Sequence, residues 1–187
     1  MRIFVAIDVP QDVRLALGDL IAKLEKTSRG ARWVRPEGMH ITLKFIGEAA
    51  DDSVEKVKAS LAGIHSPSPV QLNFRGTGFF PNDRHPRIFW AGMEASPNLA
   101  AIASEMERRL VPLGIAAESR AFRPHLTLAR FKSEDGLAQL RSNLDRVGQL
   151  EFGSSRESEF HLYRSVLKRD GAEYTRLATF EFVKASA

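Results

Sequence analysis

Two copies of a His-x-Thr-Leu sequence, far apart in the chain, carry the side chains best suited to acid–base chemistry. The first runs His40-Ile41-Thr42-Leu43 and the second runs His125-Leu126-Thr127-Leu128. Alternate side chains of a strand share a face, so each histidine would lie beside the threonine of its own copy. Imidazole, with an ordinary pKa of about 6.5, can give or take a proton near neutral pH. The pair could therefore supply the acid and the base of a displacement at phosphorus.

Hydroxyl and cationic groups close to the motifs suit a phosphate. Thr42 and Thr127 can hydrogen-bond its non-bridging oxygens, and a nearby arginine would stabilise its negative charge. Arg123 shares the histidine face by strand parity if the strand extends back through Pro124. Arg130 would lie on the opposite face unless a twist or bulge turns it. Lys44 is the candidate of the first copy.

The two motifs lie in the same register within a longer repeat. The segment 87–91 echoes the segment 2–6, and in each half 37 positions separate the isoleucine of that segment from the motif histidine. The offset between the copies is 85 residues at both points. A fixed offset indicates an internal duplication. We predict repeat halves at about residues 2–47 and 87–132, inside a single domain that covers residues 1–187.

Hydrophobic periodicity predicts a mixture of helices and strands. It places helices at 11–26, 52–61, 98–113 and 137–147, and a loop at 78–86. Strands are predicted at 2–9, 39–46, 70–76, 87–91, 158–164 and 173–183 and around the second motif, with Gly171 in the last turn. The first strand is apolar on both faces, which indicates a central, buried position. The pattern predicts an α+β fold of two duplicated strand–helix–strand lobes, related by a pseudo-two-fold axis, with antiparallel sheets facing a central cleft.

Composition narrows the class of protein. The 187 residues include no cysteine, which excludes disulfides and thiolate zinc sites. No segment has the apolar length of a membrane span, and the N-terminus does not read as a signal peptide. We therefore expect a cytoplasmic protein that does not bind membranes. The net charge of +4 and the pI of about 9.6 favour a polyanionic partner such as nucleic acid.

A metal site is the nearest rival to acid–base catalysis, since histidine is a common metal ligand. The motifs hold no carboxylate and no third histidine at ligand spacing. His65, His85 and His161 are interpreted as loop or surface residues. We therefore expect no metal and no cofactor.

At these motifs the sequence resembles the 2H phosphoesterase superfamily, and within it the RNA 2′,3′-cyclic phosphodiesterase branch, also called 2′-5′ RNA ligase. The likeness covers nearly the whole chain, including the stretches RIFVAIDVP, WVRPEGMHITLKFIG, GTGFFPNDRHPRIFWAG and FRPHLTLARF. The resemblance implies metal-independent hydrolysis of a 2′,3′-cyclic phosphate to a 2′-phosphomonoester, with reverse 2′-5′ ligation. It implies that His40 is the proton donor to the departing 3′-oxygen and His125 the proton acceptor from water. A near-symmetric site also permits these roles to reverse.

Partners and substrate contacts follow less directly. Phe79 and Phe80 could stack on a terminal base or pack in the core, whereas core packing is the favoured interpretation of Phe45. The expected partner is RNA with a 2′,3′-cyclic phosphate end or a cyclic nucleotide, with no obligate protein partner and a monomeric state. Two other functions stay open: a related phosphodiesterase for a small cyclic nucleotide, and a non-enzymatic module that binds RNA or nucleotides.

Overall fold

The computed structural model describes residues 1–168 and 171–183, in which helices and strands alternate. The strands are β1 (Arg2–Asp8), β2 (Ala31–Trp33), β3 (His40–Glu48), β4 (Val70–Phe80), β5 (Ile88–Ala95), β6 (His125–Phe131), β7 (Glu151–Glu157), β8 (Glu159–Lys168) and β9 (Gly171–Glu181). The helices are α1 (Gln11–Leu24), α2 (Asp51–Leu61), α3 (Asn98–Leu110) and α4 (Leu137–Val147). Single 3₁₀ turns cover Glu25–Thr27, Pro36–Gly38 and Val111–Leu113.

Four strands form the sheet that carries His40, in the order β3-β1-β8-β9, and we call it the His40 sheet. All of its neighbouring strands are antiparallel. Strand β1 is internal. Ile3, Val5 and Ile7 are fully buried on one of its faces, and Phe4 and Ala6 are buried on the other. The prediction of a central strand buried on both faces is confirmed.

Five strands form the second sheet, in the order β2-β6-β5-β4-β7, and we call it the His125 sheet. Apart from the extra edge strand β2, its order repeats that of the His40 sheet. In each, the strand with the histidine pairs with the strand that opens its repeat half, and that strand pairs with a third. The pairs here are also antiparallel. The predicted α+β fold with two antiparallel sheets is confirmed.

The helices tie the two sheets together. Helix α1 follows a strand of the His40 sheet but contacts β7 of the His125 sheet, and α3 follows a strand of the His125 sheet but contacts β3. Their apolar side chains recur at helical spacing and enter one continuous core, as α1 shows with Val13, Leu17, Leu20, Ile21 and Leu24. Because the lobes exchange helices, the position of one histidine strand constrains the other. None of the helices in the described ranges is long and apolar enough to cross a bilayer.

Element boundaries differ from the sequence prediction at several points. Strand β4 continues to Phe80, where it pairs with Ile88, so residues 78–80 are strand and the loop begins at Pro81. Helix α3 ends at Leu110 and continues as a 3₁₀ turn, because Pro112 has no N–H to donate. Helix α1 likewise ends two residues early. The turn predicted around Gly171 falls on residues 169–170, outside the described residues, and Gly171 itself begins β9.

The edge strands of the His125 sheet were not predicted. Strand β2 has only three residues. Strand β7 reads EFGSSRE and has a single apolar side chain, Phe152, in the core. Such short or polar strands lack the alternation on which a sequence-based prediction depends.

Candidate active site

His40 and His125 are the first residues of β3 and β6, and both imidazoles are held in the same way. Nδ1 of His40 donates to the carbonyl of Gly38 at 2.8 Å, and Nδ1 of His125 donates to the carbonyl of Arg123 at 2.7 Å. A carbonyl oxygen only accepts, so these bonds fix a proton on Nδ1. Nε2 is left as the nitrogen that gains or loses a second proton. The repeat in sequence is therefore also a repeat in side-chain geometry.

A β-bulge follows each motif threonine and decides which later side chains join the histidine face. The extra residue is Leu43 in β3 and Leu128 in β6, the same position of the two copies. Each leucine and the residue after it are buried. One extra residue reverses the alternation of faces. The third residue after each motif threonine therefore returns to the face of the histidine.

That returning residue is Arg130 in the second copy and Phe45 in the first. Both side chains are exposed, and the bulge is the exception under which Arg130 was expected to join the histidine face. The prediction of a core position for Phe45 is wrong, since Phe45 is 48% exposed. The guanidinium of Arg2 lies over its ring, 4.8 Å from the centroid. Equivalent positions thus offer a cation in one half and an aromatic ring in the other.

The two halves meet where β3 approaches β6, and the charges there act on His40. Burial lowers the pKa of His40, and the Gly38 carbonyl and the Asp8 carboxylate oppose this by favouring the protonated ring. Arg14 and Arg130 lower the pKa of His40 further. Because Arg130 belongs to β6, a cation of the second copy lies within electrostatic reach of the histidine of the first.

Aromatic rings and a carboxylate surround His40. Its ring centroid lies 4.6 Å from that of Phe4 and 5.0 Å from that of Tyr174, which it meets edge-on. Asp8 is directly opposite His40 in the β1–β3 ladder. Opposite residues of a ladder share a face, so the Asp8 side chain lies on the same face as the imidazole.

Within residues 1–168 and 171–183, the surroundings of His125 are aromatic, and no carboxylate stands at the position that corresponds to Asp8. Phe80 meets His125 edge-on at 5.1 Å, and Trp90 packs against Phe80 at 5.2 Å. The residue opposite His125 in the ladder is Gly92. A Cβ on Gly92 would lie 2.9 Å from a backbone carbonyl oxygen, and a Cβ on Gly78 would lie 2.2 Å from the indole of Trp90. Close packing therefore excludes a side chain at both glycines.

Other residues singled out by the sequence lie elsewhere. Strand β6 begins at His125, so Arg123 precedes it and the strand does not extend back through Pro124. Phe79 packs against Phe89 in the core rather than against a histidine. Lys44 is buried, and its Nζ donates to both carboxylate oxygens of Glu107, at 2.7 and 2.8 Å. Strict alternation from His40 would place Lys44 on the histidine face, but the extra residue Leu43 turns it into the interior.

A polar cluster beside His40 was missed by the sequence reasoning. The hydroxyl of Tyr163 donates to Asp8 at 2.5 Å, and Nη2 of Arg176 donates to the other Asp8 oxygen at 2.5 Å. His161, predicted as a loop or surface residue, lies in β8, is 2% exposed and is hydrogen-bonded to Thr179 at 3.0 Å. An aspartate that ends an otherwise apolar strand was the one available signal. Across residues 1–168 and 171–183, no group of three or more His, Asp or Glu side chains is arranged to hold a metal ion.

Known proteins are similar to this chain in sequence and in fold. The family model described as LigT like Phosphoesterase matches residues 7–90 and 93–174. The RNA 2′,3′-cyclic phosphodiesterase of Archaeoglobus fulgidus is 30% identical, over 97% of this chain and 100% of that protein. The crystal structure of TT0787 of Thermus thermophilus is similar with a TM-score of 0.82 and 31% identity, over 97% of this chain and 98% of that one. E. coli LigT complexed with NADP+ has a TM-score of 0.78 and 27% identity, with 98% of each chain covered.

Proposed function

Because this chain belongs to the LigT-like phosphoesterase family, we propose that it hydrolyses the 2′,3′-cyclic phosphate at an RNA end to a 2′-phosphomonoester. The observation that carries the proposal is the pair of imidazoles, each with Nδ1 bonded to a backbone carbonyl and Nε2 left for proton exchange. The name of the relative from A. fulgidus supports RNA as the substrate.

The proposed reaction uses the histidines on opposite sides of the phosphorus atom. Nε2 of His125 takes a proton from water, and the water oxygen bonds to phosphorus. The P–O3′ bond breaks on the far side, and Nε2 of His40 gives its proton to the departing 3′-oxygen. Each such role is typically worth roughly 10²–10⁴-fold in rate. With a 5′-hydroxyl in place of water, the same steps form a 2′-5′ phosphodiester bond.

The phosphate oxygens are bound by side chains on the histidine faces. Thr42 and Thr127 each lie two residues after a histidine and can donate a hydroxyl proton to a non-bridging oxygen. Arg130 adds a cation that stabilises the charge developed in the transition state. Its position after the bulge supports this role, whereas Lys44 is occupied by Glu107.

Because burial lowers its pKa, His40 would carry the proton that it donates only when the substrate is bound. Since burial lowers the pKa of His40, the empty site favours the neutral ring at neutral pH. An anionic phosphate beside Nε2 favours the imidazolium. Asp8, which raises the pKa of His40, acts in the same direction. His40 would therefore take up its proton as the substrate binds.

An RNA oligonucleotide ending in a 2′,3′-cyclic phosphate tests the proposal. It is incubated in excess EDTA with wild type, His40→Ala, His125→Ala and, as a control, His65→Ala, because His65 is an exposed histidine outside the motifs. Sensitivity of the product to alkaline phosphatase shows that the ring has opened, and comparison with synthetic 2′-phosphate and 3′-phosphate oligonucleotides assigns the position of the phosphate. We expect chelator-resistant conversion by wild type and the His65 variant, and a loss of roughly 10²-fold or more in each motif variant.

The same assay separates the other functions. Turnover of nucleoside 2′,3′-cyclic monophosphates without turnover of the oligonucleotide would favour a small cyclic nucleotide as substrate. Binding of the oligonucleotide that weakens with salt, without turnover, would indicate a binding module. Loss of activity in EDTA that added metal restores would contradict the metal-independent mechanism.

A further inference from the structure

A cavity of about 200 Å³ opens beside His40 on the His40 sheet. Its wall includes His40 itself, the aromatic side chains Phe4, Tyr163 and Tyr174, and the cations Arg14 and Arg176. Pockets that enclose a whole drug-sized ligand measure roughly 300–1,000 Å³. This cavity therefore suits one part of a nucleotide, with the remainder in the open cleft.

The charges around the cavity favour a neutral, polar, flat group over an anion. Arg14 and Arg176 share this wall with two carboxylates, Asp8 and Glu37. The ion pair between Arg176 and Asp8 is made at 2.5 Å. The formal charges of these four side chains cancel, so they do not form a phosphate site. Aromatic rings beside balanced polar groups match the stacking face and hydrogen-bonding edge of a nucleobase.

Apart from the effect of Asp8 on the pKa of His40, the polar cluster behind this wall takes no part in the two-histidine reaction. His161 lies 3.7 Å from Asp8, and Asp8 in turn accepts from Tyr163 and Arg176. To described residues, the side-chain bonds of Arg176 use Nε and Nη2, which leaves the two N–H groups of Nη1 for a ligand. The cluster thus holds a guanidinium in a fixed orientation at the edge of the cavity, as a base-reading arginine requires.

The direction of the displacement decides where the nucleoside lies. Attacking and leaving oxygens lie roughly in line through phosphorus. If His40 protonates the departing 3′-oxygen, then C3′ and the ribose that carries it lie on the His40 side of the phosphate. We propose that the cavity beside His40 binds the nucleobase of the terminal nucleotide, stacked on Tyr174 with its edge towards Arg176; this inference rests on the proposed function.

The other half-site is less suited to the base. Phe80 already packs against both His125 and Trp90, and the Trp90 ring lies over Gly78. Because these rings pack against one another, they leave less aromatic surface for a base. In the proposed reaction only a water molecule has to reach His125. Tyr174, in contrast, is 37% exposed at the mouth of the cavity.

Calorimetric titration with two ligands tests the proposal without any need for turnover. One ligand is adenosine 2′-phosphate, and the other is methyl β-D-ribofuranoside 2-phosphate, which carries a methoxy group in place of the base. The ratio of their dissociation constants measures what the base contributes. We expect Tyr174→Ala to reduce that ratio by roughly five- to 150-fold, the range of one stacked base, and Tyr174→Phe to retain it. Leu167→Ala, an exposed change on the same pair of strands, should leave both constants unchanged.

Each other outcome has a defined meaning. A base contribution that survives Tyr174→Ala but is lost in Phe80→Leu would overturn the proposal and move the nucleoside to His125. A ratio lost equally in Tyr174→Phe and Tyr174→Ala would overturn stacking as the cause. Binding with the expected ratio but no turnover of cyclic ends would leave the base site in place and remove the proposed function. Turnover with a ratio near one would do the reverse.

Discussion

The His40 and His125 half-sites share a frame and differ in almost everything that surrounds it. In both, the histidine is the first residue of its strand, and its Nδ1 donates to the carbonyl two residues back. In both, a bulge follows the threonine at the same position. Each half therefore presents an imidazole and a hydroxyl in the same local geometry, which a reaction with one acid and one base requires.

The differences lie at equivalent positions around that frame. Across the ladder from the histidine stands Asp8 in one half and Gly92 in the other. After the bulge stands Phe45 in one half and Arg130 in the other. The carboxylate of one half thus opposes the lowering of the His40 pKa by burial, and the arginine of the other half supplies the cation for the phosphate. Two equal histidines cannot by themselves orient a substrate, whereas these unequal neighbours can.

We propose that the halves at residues 2–47 and 87–132 arose from one duplicated unit and now form a single domain. Two stretches matched by the family model, one mainly in each half, support this. The exchange of α1 and α3 between the sheets supports a single folding unit, because each of these helices contacts the sheet of the other half. In this view duplication provided the histidine pair, and later substitutions around it provided direction.

The largest effect expected from this asymmetry concerns the leaving group. With an ordinary cyclic phosphate, His40→Ala and His125→Ala should each lose roughly 10²–10⁴-fold in kcat. Replacement of the 3′-oxygen by sulfur provides a leaving group that departs as a thiolate without a proton, since a thiol pKa is about 8.5. We expect the sulfur substrate to restore most of the rate of His40→Ala and little of that of His125→Ala, in single-turnover assays. Restoration of His125→Ala instead would reverse the two roles.

The next effect compares the two positions after the bulges. Arg130→Met should lower kcat/KM by roughly 10²–10³-fold, the range found when one donor to a developing charge is removed. Phe45→Met, at the equivalent position, should change kcat/KM by less than about threefold, because Phe45 contributes no charge. Thermal unfolding of both variants controls for folding. Equal losses would show that the arginine has no special part in the reaction.

Strand periodicity predicted most of the frame that the two half-sites share, but not the side chains in which they differ. The motifs, the central strand and the 85-residue offset are all readable from local alternation and repetition. Phe45 was misplaced, and the face of Arg130 was left conditional on a bulge, because parity assumes a regular pleat and a bulge of one residue leaves no mark in a single sequence. Asp8 was missed because its partners, Tyr163 and Arg176, lie more than 150 residues away.

The pH dependence of kcat and kcat/KM should reflect Asp8, the carboxylate that has Gly92 as its counterpart in the other half. Burial lowers the pKa of His40, so the acid of the free enzyme should lose its proton below about pH 6.5. Bound phosphate favours the charged ring, so the alkaline limb of kcat should lie at higher pH than that of kcat/KM. Asp8→Asn removes a charge that raises the pKa of His40, and should move the kcat/KM limb to lower pH.

Rate profiles of the two enzymes between pH 4.5 and 9 measure these limbs, which belong to the histidine pair jointly. Gly92 offers no matching change in the other half, because any Cβ there meets a backbone carbonyl. If the alkaline limb of kcat/KM moved to higher pH in Asp8→Asn, Asp8 would not favour the protonated form of His40.

The smallest effect is on stability, and it again sets the His40 sheet apart. That sheet holds two imidazoles, His40 and His161, and burial lowers the pKa of both. A group with a depressed pKa in the folded state takes up a proton on unfolding when the pH falls below its unfolded value of about 6.5. The stability that each provides is thus complete above that pH and is lost below it. The slope is at most about 1.4 kcal/mol per pH unit for each proton.

Urea denaturation at pH 8, 7, 6 and 5 would measure that slope for wild type, His161→Gln and the exposed control His65→Gln. His161→Gln removes one of the two protons taken up on unfolding, so its free energy of unfolding should fall less steeply between pH 7 and 5. The control should follow wild type, because His65 is exposed in a loop. If His161→Gln also followed wild type, the carboxylates of Asp8 and Glu159, which oppose the lowering, would have to offset burial fully. His161 would then act only through its hydrogen bond to Thr179, which fixes the wall behind Asp8.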